Sequence, residues 1–325
     1  MSAAAAMPCT SSLPSSTGDR RSVRIGTETL GGAALPVFAG PRRGAHIVHV
    51  TLRRHHGAVA ADRELRRVRD LSPAPLLVEP FSTDDLDAAA EYADGLVVGG
   101  ASMQDFRLLT AVGGVGLPVV VHRGPHCTVD EWLAAVKYVR SAGTDDVVLG
   151  EAGSRRYGAD RPALDLALVN EVRDRSGLPV VVDVGATPWL AGAAIAAGAD
   201  GVWLDEEAAP ADVDAAREAV TVLSPVVRQT RGGSLAGCRE AIDRVDAALA
   251  SLLEHRAALA AEVQRYKDVP GHAGRDAARE AEIVRAMAVR APSLRQEHVA
   301  RIMDAVIAAG LDTVEAAAEP PVWRM

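Results

Sequence analysis

The chain has 325 residues, more than one compact domain usually needs, so its length favours two domains. Apolar residues make up 48% of the chain and charged residues 24%, a composition that indicates a globular protein and excludes a disordered one. The net charge of −8 and the scattered basic residues argue against nucleic-acid binding, and no apolar run reaches the roughly 18 residues that a membrane span needs.

Residues 1–22 are small and polar and lack the apolar core of a secretory signal, so we expect a disordered tail. The three cysteines, Cys9, Cys127 and Cys238, lie far apart. Their number and spacing predict neither a disulfide framework nor a zinc site, and they are typical of a protein in the reducing cytoplasm.

Short valine-rich runs alternate with alanine-rich helical stretches across the predicted first domain, residues 23–228. The strand candidates are residues 35–39, 46–52, 75–79, 94–98, 118–122, 146–149, 179–183 and 200–204. Apolar strands that alternate with helices predict a parallel sheet covered on both faces, and eight of them predict a (β/α)8 TIM barrel. Only six residues separate the first two candidates, too few for a crossover helix, so we expect a barrel that is trimmed at its start.

Strand signals stop at residue 229, and the predicted second domain, residues 229–319, consists of helices. The helices are expected over residues 236–268, 276–290 and 294–316. Pro270 interrupts the chain between the first two, and Ser293 with Gln296 has the capping-box pattern that begins a helix. Residues 320–325 are expected to form a loose tail.

Positive charges lie on the apolar faces of these helices. On a helical wheel the apolar residues of the first helix form one stripe, with Arg256 and Lys267 in its middle and Arg239 on its edge. Arg279 shares a face of the second helix with Ile283. A single arginine beside such a stripe usually extends to solvent at a rim. Several cations on interior faces instead predict a dianionic ligand, because an unpaired buried charge costs several kcal/mol.

Residues 239–280 contain the strings Arg-Glu-Ala-Ile-Asp-Arg-Val-Asp, Leu-Leu-Glu-His-Arg, Tyr-Lys and Arg-Asp-Ala-Ala-Arg-Glu. Their order and spacing resemble the all-helical chorismate mutases. The resemblance implies a three-helix domain that is an isomerase, converts chorismate to prephenate without a cofactor, and serves aromatic amino acid or related metabolism from the shikimate pathway. It also implies a homodimer entwined through the long first helix, with two equivalent sites.

The same resemblance implies roles for individual side chains. Arg239, reaching across from the partner, and Arg256 would hold the substrate carboxylates. Lys267 would meet the ether oxygen whose bond breaks, Arg279 would assist, and Glu280 would hold the ring hydroxyl.

Three further positions are candidates for contact with the substrate. Asp276 either contributes to the site or caps the second helix. On the third helix, Val314 stands where the family usually has Gln or Glu, and Gly310 lies one turn earlier. Because valine donates no hydrogen bond, either Glu315 reaches in through a shifted helix or the site is that of a weak or divergent mutase. A related substrate such as aminodeoxychorismate or isochorismate, with lyase chemistry on the latter, is then an alternative.

The first domain carries Val-Gly-Gly-Ala-Ser at 98–102, His-Arg-Gly at 122–124, Gly-Glu-Ala-Gly-Ser-Arg at 150–155 and Asp-Val-Gly-Ala at 183–186. These strings resemble the DAHP synthases, which need a divalent metal held by Cys, His, Glu and Asp. The matching positions here are Arg42, Ala186, Asp205 and Ala216. Only Asp205 is a metal ligand by chemistry, so we expect no metal and no synthase activity.

A barrel without synthase activity would serve as a scaffold, a regulatory module or a docking surface for an active DAHP synthase. Arg123 and Arg155 remain candidates for phosphate binding. The alternatives are a bifunctional DAHP synthase and chorismate mutase, and a non-catalytic regulatory subunit, which the valine at 314 favours.

Overall fold

A computed structural model describes residues 21–32, 37–41, 44–55, 57–155, 162–228 and 234–318. The chain divides into two compact units, Met1–Cys238 and Arg239–Met325. The predicted tails lie outside the described residues, apart from Arg21 and Ser22 at the end of the first.

The described chain begins with an antiparallel hairpin that the sequence analysis did not predict. Strand β1 covers Ser22–Ile25 and β2 covers Glu28–Gly31, joined by a turn in which Gly26 has a φ of 57°. Val23, Ile25 and Leu30 are buried against inward-facing residues of the barrel strands. Since the hairpin also contacts Pro75 and Pro179, which precede strands, it closes the amino-terminal end of the barrel.

The next eight strands form a closed parallel barrel, and each lies within or overlaps one of the eight candidates. They are β3 (Val37–Gly40), β4 (Ile47–Thr51), β5 (Leu76–Glu79), β6 (Gly95–Val98), β7 (Val119–His122), β8 (Val147–Glu151), β9 (Val180–Asp183) and β10 (Gly201–Trp203). The last strand pairs with both β9 and β3, which closes the barrel. The predicted fold class is therefore confirmed.

The first two barrel strands are joined without a crossover helix in the described part of their connection. β3 and β4 pair in parallel, with Ala39 opposite Ile47. The trimmed start that the short spacing predicts is thus confirmed, and the hairpin below the strands covers the apolar residues at this end of the barrel.

Seven helices surround the barrel in the described residues. They are α1 (Ala58–Leu71), α2 (Leu86–Tyr92), α3 (Phe106–Gly114), α4 (Val129–Ala142), α5 (Ala167–Ser176), α6 (Ala191–Ala196) and α7 (Pro210–Val227). Their apolar faces pack on the outward-facing strand residues in one continuous core. Trp132 of α4 is fully buried there, and its indole N–H donates to the carbonyl of Val121 at 2.9 Å. The polar atom of a large core residue is thereby satisfied.

The second unit contains the three predicted helices, α8 (Leu235–Gln264), α9 (Ala277–Arg290) and α10 (Gln296–Ala318). Five of the six helix ends differ from prediction by one to four residues, and two of these differences bear on the site. α8 ends at Gln264, so Lys267 lies in the turn that follows and not on the helix. α10 begins at Gln296, so the predicted capping box at Ser293 is wrong.

The apolar stripe of α8 is not covered by the chain's own helices. Its members are 44–58% exposed: Ile242, Val245, Leu249, Leu252, Leu253, Leu259 and Val263. The expectation of a stripe buried within one chain is therefore wrong, because α9 and α10 leave that face of α8 open. None of the described helices combines the length and apolar character that a bilayer span would require.

Candidate active site

The cations of the helical unit differ in their surroundings. Arg256 is half-buried on α8, and no side chain among the described residues forms an ion pair with it. Lys267 is also half-buried, and its ammonium donates to the carbonyl of Gly274 at 2.7 Å. Because an ammonium has three donors, two remain for a ligand. Arg256 and Lys267 therefore retain positive charge that the described protein leaves without a carboxylate.

Arg279 and Arg239 do not lie in a closed interior. Arg279 is exposed on α9 and forms an ion pair with Glu282 at 3.0 Å. The prediction that it faces a core is wrong for the single chain, since Glu282 one turn later holds it at the surface. Arg239 is exposed near the start of α8.

Glu280 has a partner that the sequence analysis missed. Both carboxylate oxygens accept from Arg275, at 2.9 and 2.8 Å, and Arg275 also contacts Asp304 of α10 at 2.6 Å. These hydrogen bonds raise the pKa of Arg275 above its usual range. The contact positions Glu280 rigidly, although it also occupies lone pairs that a substrate hydroxyl would use. The sequence signal that could have revealed this ion pair is an arginine placed five residues before a glutamate at the start of a helix.

Asp276 caps α9. Its carboxylate accepts from the backbone N–H groups of Ala278 and Arg279, both at 3.0 Å. Of the two roles that the sequence left open, the helix cap is confirmed.

The two third-helix candidates for substrate contact, Gly310 and Val314, are at least partly buried in the helical unit. Gly310 is buried, and a Cβ there would lie 3.9 Å from that of Ala260, an ordinary van der Waals distance, so the packing of α10 on α8 at this position does not itself require glycine. Val314 is half-buried. Glu315 accepts from the backbone N–H of His272 at 2.8 Å, so its carboxylate is held at the loop between α8 and α9. That contact argues against the shifted-helix alternative.

The first unit has a cavity of about 730 Å³ at the carboxyl ends of the barrel strands. Its wall includes His49 of β4, His122 of β7 and Asp183 of β9. Arg123, which follows β7, donates to both oxygens of Glu151 at 2.5 and 2.7 Å, and both side chains are buried. Its third nitrogen donates to Ser154 and to a backbone carbonyl, so four of the five N–H donors are used within the protein and one remains for the predicted phosphate contact. Arg155 is exposed.

The residues at the family's metal positions do not fit a divalent ion. Ala186 and Ala216 offer no donor atom, Arg42 lies outside the described residues, and Asp205 supplies one carboxylate. Within the described ranges, no three His, Cys, Asp or Glu side chains are grouped so as to hold a metal. Since a protein site for such an ion needs several oxygen or nitrogen ligands, the donor chemistry argues against a metal here.

Comparison with known proteins shows two family matches in tandem. Residues 56–225 match the family described as "DAHP synthetase I family", which is more than half of the chain. The chain belongs to this family. Residues 238–313 match "Chorismate mutase type II", so a chorismate mutase type II domain follows a DAHP synthase-like domain.

Individual relatives of this DAHP synthetase I member match about half of its chain. A phospho-2-dehydro-3-deoxyheptonate aldolase of Thermotoga maritima is 34% identical over 154 residues, 45% of this chain and 46% of that protein. A 2-dehydro-3-deoxyphosphooctonate aldolase of Nitratidesulfovibrio vulgaris is 28% identical over 187 residues, 52% of this chain and 68% of that protein. The chain spans about half the length of the first of these curated relatives.

Two solved structures share the barrel. The crystal structure of the Thermotoga maritima aldolase superposes with a TM-score of 0.54 at 25% identity, covering 62% of this chain and 71% of that one. A truncated form of the synthase from the same organism superposes with a TM-score of 0.57 at 23% identity, covering 65% of this chain and 93% of that one. A likeness at this level of identity shows a shared fold and no more.

The barrel mouth makes the stability of this DAHP synthetase I member depend on pH. Burial, with a smaller effect of neighbouring His122, lowers the pKa of His49 from 6.5 to about 3, and Glu79 approaches its Nε2 only to 4.0 Å. The imidazole of His49 therefore binds a proton more tightly in the unfolded chain than in the folded one, so protonation favours unfolding. The folded state keeps this stability above the unfolded-state pKa of 6.5 and loses it as the pH falls toward 3. Between about pH 7 and about pH 4.5, we expect the native chain to lose about 2 kcal/mol more unfolding free energy than His49→Gln. Urea titrations at both pH values measure this, and equal losses would contradict a neutral buried His49.

Proposed function

We propose that this chain is a chorismate mutase that rearranges chorismate to prephenate. The observation that carries the proposal is the pair Arg256 and Lys267, two half-buried cations without a carboxylate partner among the described residues, in a domain that matches the mutase family. A dianionic ligand of chorismate's kind supplies the counter-charge that such groups require.

The chemistry requires little beyond positive charge and positioning. The rearrangement takes place within one molecule and needs neither a nucleophile nor a proton transfer. Arginine forks such as Arg256 bind carboxylates in fixed geometry and hold the substrate in its compact conformer. Lys267, with two free donors, stabilises the negative charge that grows on the breaking ether oxygen.

The site is completed in this proposal by a second copy of the chain. The exposed apolar stripe of α8 provides the dimer surface, and exposed Arg239 reaches from one copy into the site of the other. Glu280, held by Arg275, would hold the ring hydroxyl, and Arg279 would leave Glu282 to assist.

The barrel has no synthase activity in this proposal and serves as a scaffold or as a docking surface for a separate DAHP synthase. Of its four metal positions only Asp205 supplies a donor group, and Arg123 is neutralised by Glu151. Cys127, whose thiol forms no disulfide, supports a cytoplasmic location.

The test is turnover by the purified full chain. We expect chorismate to disappear and prephenate to form without added metal, and we expect no DAHP from the synthase substrates with manganese present. Aminodeoxychorismate and isochorismate, assayed side by side with release of pyruvate monitored, check the related substrates and the lyase alternative. Synthase turnover would overturn the assignment of the barrel.

A non-catalytic regulator is the second candidate, because Val314 offers no hydrogen bond to the ether oxygen. Chorismate that binds but is not consumed would establish this alternative in place of the mutase.

A further inference from the structure

Among the described residues, those that line the barrel mouth carry more negative than positive charge. Six carboxylates and two guanidinium groups line its cavity in the described part of the chain. The carboxylates belong to Glu79, Asp183, Asp205, Glu206, Glu207 and Asp212. Arg53 donates to Glu79 at 2.9 Å, and Arg54 lies 4.0 Å from Glu207, so both guanidinium groups already face a carboxylate. A cavity with this excess of negative charge repels phosphate anions and attracts cations.

The carboxylates of Asp183 and Asp205 both lie beside Gly185 in the wall of the mouth. A Cβ placed on Gly185 would lie 2.5 Å from one oxygen of Asp205 and 3.1 Å from one of Asp183. No arginine or lysine pairs with either side chain among the described residues. Burial raises the pKa of Asp183, against the opposing effects of His122 and of the Gly185 N–H that donates to it. A cation placed between the two carboxylates would relieve both the desolvation and the mutual repulsion.

A third polar group in the same wall has no partner. His122 is only 7% exposed, and its Nε2 forms no hydrogen bond with any described residue. A buried polar atom without a partner costs free energy, so a group that bonds to it stabilises the mouth. The ring of His122 stands edge-on to that of Trp203 at 5.2 Å, which places an aromatic surface beside the polar groups.

We propose that the barrel mouth binds a small organic molecule through its ammonium group. An ammonium has three donors, which match the carboxylates of Asp183 and Asp205 and the free nitrogen of His122. The organic part of the molecule then rests against Trp203 and Val97 in a cavity large enough for it. A bare divalent ion does not fit, because the described side chains provide no ligand cluster for one. The inference goes beyond the proposed mutase activity and does not depend on it.

The experiment compares pairs of probes that differ in one group. Calorimetry on the full chain measures the binding of tyramine against tyrosol, in which a hydroxyl replaces the ammonium, and of putrescine against butane-1,4-diol. A charge-assisted hydrogen bond is stronger than a neutral one, so at least one amine is expected to bind about tenfold more tightly than its alcohol. Manganese alone and inorganic phosphate are expected not to bind at the mouth.

Two variants test whether the amine binds at the carboxylates of Asp183 and Asp205. Asp205→Asn and Asp183→Asn keep the shape of the side chain and remove its charge, so each is expected to abolish the preference for the amine. Asp174→Asn, on the exposed face of α5, is the matched control and should bind as the native chain does. If the asparagine variants do not fold, the comparison of the paired probes on the native chain still decides.

Three results would overturn the proposal: neither amine binds better than its alcohol, manganese binds at the mouth, or folded Asp205→Asn and Asp183→Asn retain the preference. Turnover of chorismate is measured in parallel on the same variants. That reaction is assigned to the other unit. A native chain that does not turn over chorismate would therefore count against the proposed function and leave this inference standing.

Discussion

Replacement of Arg256 by alanine is expected to lower kcat/KM for chorismate by about 10²–10³-fold, the usual cost of removing one preorganised group that stabilises a transition state. The free energy of unfolding should change little, because Arg256 has no ion-pair partner among the described residues and its removal relieves a half-buried charge. Initial rates of chorismate loss and urea unfolding curves measure the two quantities separately.

The matched control for this variant is Arg265→Ala. Arg265 is exposed just past the end of α8, and removal of its charge should leave turnover unchanged. If Arg256→Ala keeps full turnover, the substrate does not bind where we place it. If both variants lose activity equally, the overall positive charge of the helix matters and a specific contact does not.

Leu252→Glu is expected to convert the proposed dimer into a monomer and to abolish the proposed mutase activity. Leu252 lies in the middle of the α8 stripe and is 51% exposed in the single chain. In a two-fold dimer the substitution acts twice, removing apolar burial of about 1.5–3 kcal/mol per leucine and adding two charges to the interface. We therefore expect the dissociation constant of the dimer to rise by about a thousandfold or more. Sedimentation velocity over a range of protein concentrations measures it.

Ala258→Glu is the control for the dimer surface. Ala258 is exposed on the opposite face of α8, so the same charge there should leave the native association state and turnover intact. A native chain that sediments as a monomer while turning over chorismate would exclude the shared site, including the role assigned to Arg239. A Leu252→Glu variant that stays dimeric would place the interface on another surface.

The barrel strands were predictable because they are buried on both faces. Most are short runs of valine, leucine or isoleucine bounded by turn residues, and such a run has few alternatives to a central parallel strand. The hairpin Ser22–Gly31 was not predictable in this way. Its strands have four residues each and a weak alternating pattern, and they form because their apolar side chains fill the end of a barrel that only the closed sheet creates.

The sequence alone determined the two domains in tandem, the closed parallel barrel with its trimmed start, and the three helices that carry cations, since apolar periodicity and residue type are local properties. Only the tertiary structure decided which charges are already paired. Arg123 with Glu151 and Glu280 with Arg275 form ion pairs, whereas Arg256 has no ion-pair partner in the described part of the chain and the stripe of α8 stays open. Pairing and burial depend on which elements meet in space, and a periodic pattern shows that a face is apolar without showing what covers it.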